Sequence, residues 1–91
     1  MAVKPPSILI EAESLVNGDR AKSYGPARED WQRAVDIFYA WTGIRLTPEQ
    51  GIKFLICVKQ SREQHKHKRD NLTDVCGYSE VLNWLEEDDH A

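Results

Sequence analysis

Thr47-Pro48-Glu49-Gln50, running on into GIKFLICVKQSREQ (51–64), is the passage whose reading decides the fold. Thr47 is placed to cap a helix N-terminus. Pro48 suits the first turn, where its missing N–H has no intrahelical partner to lose. Gln50, three residues after the cap, completes a capping box. The signal predicts a helix from Pro48 to about Gln64. Ile52, Phe54, Leu55, Ile56, Cys57 and Val58 surround most of its axis, which predicts a central position.

Working outward, Gly43 stops a preceding helix that should begin at Pro26 and reach Thr42. Trp31, Ala34, Val35, Phe38 and Trp41 share one of its faces. Before it, Asp19 to Gly25 reads as a polar loop. Asn17-Gly18 ends a first helix that Ser7 caps and that carries Ile8, Ala12, Leu15 and Val16 at helical spacing, because Gly accepts the left-handed conformation freely. Downstream, the basic run His65-Lys66-His67-Lys68-Arg69 links to a last helix, capped by Asp70 or Asn71 and running to about Glu86. Its apolar face holds Val75, Tyr78, Val81, Leu82 and Leu85. No strand-like alternation of useful length occurs. The fold class expected is all-α: about four helices in one domain (7–87), a bundle or helical hairpins completed by oligomerisation, with flexible ends at 1–6 and 88–91.

The chain has 91 residues, 41% hydrophobic and 30% charged, with a net charge of −3. A domain of this size buries only ~60–65% of its unfolded surface and is marginal alone, so a homo-oligomer is expected. The acidic balance disfavours general nucleic-acid binding, which needs a basic field. Cys57 and Cys76 fall in apolar helical patterns and read as buried free thiols. No apolar run approaches ~18 residues and no leader is visible, so no membrane partner is expected and the cytoplasm is the default location.

The informative residues break the pattern. Winding the third predicted helix at 100° per residue puts Lys59 between Ile52 and Leu55 on an apolar sector, with Arg62 and Glu63 at its edges. Winding the fourth puts Asp74 between Val81 and Leu85, beside Tyr78, with Asp70 one turn earlier. A lone buried charge costs several kcal/mol unless it is paired. Two readings stand: an ion-pair network tying the helices together, or charges gathered around a ligand or metal in the groove between them.

Gly18-Asp19-Arg20-Ala21-Lys22-Ser23-Tyr24-Gly25 is the second unusual stretch. It ends at a helix N-terminus, where free N–H groups attract anions. Arg20, Lys22 and Arg28 would donate charge-assisted hydrogen bonds to a phosphate, and Tyr24 would stack on a base. The plainer reading is a surface loop that ties helices together. GxxxxGK[ST] is absent. His65 and His67 read as solvated, His90 as part of the tail, and the three tryptophans as core or interface.

GDRAKSYG, the helix start Glu29-Asp30-Trp31, the TPEQ helix with Lys59 and Arg62, and RDNLTDVCGY together resemble a family of small uncharacterised phage and prophage proteins. That resemblance spans roughly residues 8–85 and implies a viral origin, and with it an infected bacterial host. The Asp70-x-x-x-Asp74 helix with Gly77-Tyr78 is also similar to the last conserved helix of MazG-like all-α nucleotide pyrophosphohydrolases. Those enzymes bind magnesium through an EExxE and an ExxD segment. Here Asp74 matches the final Asp, Asn71 stands where the Glu belongs, and no EExxE exists. Glu11, Glu13 and Glu63 are the only substitutes.

The function expected is that of a phage protein binding, and in an enzymatic variant hydrolysing, a nucleotide between the third and fourth predicted helices. Lys59 and Arg62 would hold phosphate, with Arg20, Lys22 and Tyr24 closing from the loop. Asp70 and Asp74 would hold magnesium or orient the cations. The alternative is a non-enzymatic interaction protein that inhibits a host factor or sequesters a signalling nucleotide.

Overall fold

The computed structural model describes residues 4–87; within them the side chains of residues 19–21 lie outside the described set. The elements are α1 (Ile8–Asn17), α2 (Asp19–Tyr24), α3 (Ala27–Thr42), α4 (Pro48–His65) and α5 (Arg69–Glu87). Every described element is helical, so the all-α expectation holds. The expected flexible ends at 1–3 and 88–91 fall outside the described residues. Pro6 is tied down, its carbonyl accepting from Arg69 Nη2 at 2.7 Å.

The Thr47 signal works as read. Gln50 N–H donates to Thr47 Oγ1 at 3.2 Å, and Thr47 N–H donates to Gln50 Oε1 at 2.9 Å. Ser7 caps α1 by accepting from Leu9 N–H. Two local expectations change. The stretch 19–24 is a short helix rather than a loop. Asp70 and Asn71 do not cap α5 but lie within its first turn, because the helix starts at Arg69. Glu63 organises that start instead. Its carboxylate pairs with His67 and accepts from Lys68 N–H at 3.0 Å and Asn71 Nδ2 at 3.1 Å.

Gly18 is needed for a reason other than the one its position suggested. Its φ is −106°, outside the left-handed region, but a Cβ there would lie 2.7 Å from the Ser14 carbonyl oxygen. The positive φ values belong to Gly25 (79°) and Gly43 (73°), which set the entry to α3 and its exit.

α4 and α5 run antiparallel, with Lys53 near Glu86 at one end and Glu63 bonded to Asn71 at the other. α1 lies along α5, joined by Arg69–Glu11 and by the approach of Val16 to Gly77. α3 crosses the start of α4. Gly51 permits that crossing, since a Cβ there would lie 3.1 Å from Val35 Cγ1. Arg28 pins the junction by donating to Glu49 Oε1 at 3.3 Å and to the Leu85 carbonyl at 3.0 Å.

The core is small: Val16, Ile52, Val81 and Leu85, with Trp31, Ile56, Tyr78, Leu82 and Trp84 packed against it. α4 is therefore less central than its sequence implied. Ile52 is fully buried, yet Phe54 is 64% exposed and Cys57 is an exposed free thiol. Cys76 is half-buried and also free. The neighbouring helices cover one side of α4, and its apolar girdle is left partly bare.

Candidate functional site

α5 carries the residues from which the site is built. Asn71, Thr73, Asp74 and Gly77 are all buried on it, an unusual concentration of polar and small residues for an inward face. Thr73 satisfies its hydroxyl by donating to the Arg69 carbonyl at 3.2 Å. Asp74, one residue on, is 8% exposed and meets Lys59 of α4, with Nζ to Oδ2 at 2.6 Å. The same ammonium lies 3.8 Å from Asp70 Oδ2. Lys59 is itself only 15% exposed, whereas Asp70 stands at 73%. The inward-facing charges of the two helices thus neutralise one another, as the cost of burying either alone requires.

A cavity of about 550 Å³ opens on the other flank of α5, against α1 and the start of α3. Ala12, Leu15 and Val16 form the α1 wall. Thr73, Asp74, Gly77, Tyr78, Val81 and Trp84 form the α5 wall. Tyr24, Gly25, Pro26, Ala27, Asp30 and Trp31 close it from the α2–α3 corner. Trp31 and Tyr78 meet edge to face, centroids 6.1 Å apart at 88°. The volume falls within the range of small-molecule sites, and apolar walls with a few polar groups are their usual chemistry. Gly77 brings α1 close to α5, since a Cβ there would lie 3.3 Å from Val16 Cγ1.

The cavity does not lie where the sequence placed the groove. The two helices carrying Lys59 and Asp74 pack directly on each other. Open space lies on the far side of Asp74, whose residue borders both the ion pair and the cavity. Of the expected ligand residues, Tyr24 and Asp74 line the cavity; Lys22, Lys59, Arg62 and Asp70 do not. Lys22 and Arg62 are exposed, and no described carboxylate pairs with either. The Arg20 side chain lies outside the described residues. Arg28, read as a phosphate donor, is instead committed to Glu49 and Leu85.

The magnesium that the pyrophosphohydrolase resemblance implies does not suit these residues. Magnesium needs near-octahedral oxygen ligands. Asp70 and Asp74 both face the Lys59 ammonium, which repels a cation. Among the described residues no group of three or more His, Cys, Asp or Glu could hold a metal ion.

Several participants escaped sequence reasoning. Thr73 and Gly77 continue the face of α5 that Val81 had marked, each a turn before the next, and a glycine in mid-helix there marks a close approach. Asp30 and Trp84 had no distinguishing local signal. Glu63 was read as an edge residue, yet it receives three bonds. The hydrogen bond to His67, then those from Lys68 N–H and Asn71, hold its carboxyl at about 2, well below the ordinary 4.5. At the far side of the fold, Asp36 is likewise lowered, chiefly by its hydrogen bond from Arg45 and then that from Gln32.

No helix among the described residues is long and apolar enough to cross a membrane. The chain is similar to the Gene 55 protein of Mycobacterium phage L5, 34% identical over 82 residues, covering 88% of this chain and 53% of that protein. It is 29% identical over 83 residues to the Gene 55 protein of Mycobacterium phage D29, covering 90% of this chain and 55% of the relative. The chain therefore spans about half the length of these curated relatives. No solved structure matches it. Residues 7–86 match the family model described as a domain of unknown function, DUF6378, and the protein belongs to that family of phage-related chains.

Proposed function

We propose that this phage protein binds a nucleoside or nucleotide, taking the base into the cavity between α1, α3 and α5. The observation that carries the reading is the pairing of aromatic walls with a buried carboxylate acceptor. Trp31, Tyr78 and Trp84 offer faces and edges to a planar ring, and Asp74 stands among them. A carboxylate there accepts hydrogen bonds from ring and exocyclic N–H groups, and Lys59 holds it in place from behind. Asp30 and Asp74 would repel phosphate from the interior. The sugar and any phosphate would therefore stay at the mouth, where Tyr24 is 56% exposed. Binding without hydrolysis is the function proposed, since the Asp70–Asp74 pair does not suit magnesium.

The test is a panel of purine and pyrimidine nucleosides, monophosphates and triphosphates, each with and without magnesium. Thermal midpoint and tryptophan fluorescence are the readouts. A ligand at about 100 times its Kd stabilises by about 2.7 kcal/mol, a shift of several degrees for a domain this size. Ala27→Leu, which extends a side chain into the cavity, should abolish the response while leaving the helical circular dichroism unchanged. Silence across the whole panel would overturn the reading. A response that survives Ala27→Leu would move the ligand out of this cavity.

A further inference from the structure

The second half of α3 exposes an apolar seam that no part of the described chain covers. Ala34, Ile37, Phe38 and Trp41 stand at i, i+3, i+4 and i+7, within an arc of about 100° on one side of the helix. Ile37 is 57% exposed, Phe38 38% and Trp41 86%. The segment 43–47 turns back along a different side of α3. Arg45 pairs with Asp36 at 2.6 Å and lies 4.2 Å over the Tyr39 ring. The chain thus straps one flank of α3 and leaves the seam bare.

We infer that this seam is the contact surface of a two-fold symmetric homodimer in which the α3 helices of two copies pair antiparallel. The first argument is shape. A two-fold axis between residues 37 and 38 places Ile37 of one copy against Phe38 of the other, and Ala34 against Trp41. The largest side chain of the seam then meets the smallest, so the surface is complementary to itself, as a closed isologous contact requires. The second argument is area. Ile37, Phe38 and Trp41 alone leave on the order of 450 Å² bare, over half of one partner's ~800 Å² share in a standard interface. Arg33 and Thr42 flank the seam, so its margin is polar. The third is charge. Between Ala34 and Trp41 no charged residue falls within the arc of the seam, Asp36 projects from the opposite side, and Asp30 and Arg33 at its end pair with each other at 3.8 Å. Antiparallel pairing also sets the N-terminal end of each helix beside the C-terminal end of the other, which suits their dipoles.

Sedimentation velocity and light scattering over a concentration series of the 91-residue chain test the inference. Wild type should reach a dimer, with the tryptophan emission moving to shorter wavelength as it forms. Trp41→Lys should weaken association at least about tenfold while helicity is retained, because each copy then sets a charge opposite Ala34 of an apolar partner face. Ala34→Trp should do the same by overcrowding. Combining Ala34→Trp with Trp41→Ala exchanges the large and small residues and should restore the dimer. A chain that stays monomeric at all concentrations, or a dimer indifferent to Trp41→Lys, would overturn the proposal. A double variant no better than Ala34→Trp would overturn the antiparallel register.

Discussion

Lys59 Nζ lies 2.6 Å from Asp74 Oδ2, and both side chains are almost wholly withdrawn from water. The pair joins the two longest helices, and its Asp74 member borders the cavity.

Removing one member should therefore cost more than the pair itself contributes. Asp74→Ala leaves the Lys59 ammonium buried with only the exposed Asp70, 3.8 Å away, to answer it. A loss of about 3 kcal/mol in urea unfolding is expected. Replacing both, as Lys59→Met with Asp74→Leu, should return stability to within about 1 kcal/mol of wild type, because no charge is then stranded. If the double variant is no more stable than Asp74→Ala, the coupling assigned to the pair is absent.

Glu63 predicts an acid dependence. Its carboxyl titrates at about 2 in the folded chain against an ordinary 4.5. A lowered folded-state value means that its contribution is fully present above about 4.5 and drains away as pH falls through 2. The thermal midpoint should drop across that window, and Glu63→Gln should flatten this part of the profile. An unchanged slope in the variant would show that the turn between α4 and α5 does not depend on this carboxylate.

The capping box of α4 can be tested without touching the core. Thr47→Ala removes the acceptor for Gln50 N–H and should cost about 1 kcal/mol. Thr47→Ser should preserve most of it. Equal losses from the two changes would argue against the hydrogen bond as the cause.

Arg28 ties α3 to α4 and α5 through one guanidinium. Arg28→Ala should destabilise by about 2 kcal/mol, since both bonds involve a charged donor. Arg28→Lys should recover only part of this, because both bonds come from the terminal Nη2, which lies farther out than a lysine ammonium reaches. Hydrogen exchange at the first turn of α3 should rise in both variants.

Much of the fold is legible along the chain because helix signals are local. Thr47 and Gln50, Ser7, Gly43 and Pro26 each act within a few residues of themselves, and the boundaries they predict agree with the structure to within a residue or two. The short α2 is different. DRAKSY has no apolar period long enough to announce a helix, and six residues do not sustain one alone. The inward charges were visible too, since periodicity alone puts Lys59 and Asp74 on apolar faces and the cost of burial demands a partner for each, with an ion pair between the helices as one of the two readings.

What the amino-acid order determined by itself is helicity, the main helix limits and the need of the inward charges on α4 and α5 for partners. Each follows from interactions a few residues apart or from the expense of an unpaired charge. Only the tertiary arrangement decided that the open space lies between α5, α1 and α3, that Asp74 borders it while Lys59 does not, and that the Trp41 side of α3 stays bare. Those facts depend on how helices cross, and crossing is set by close approaches such as Gly51 to Val35 and Gly77 to Val16, between residues far apart in the chain.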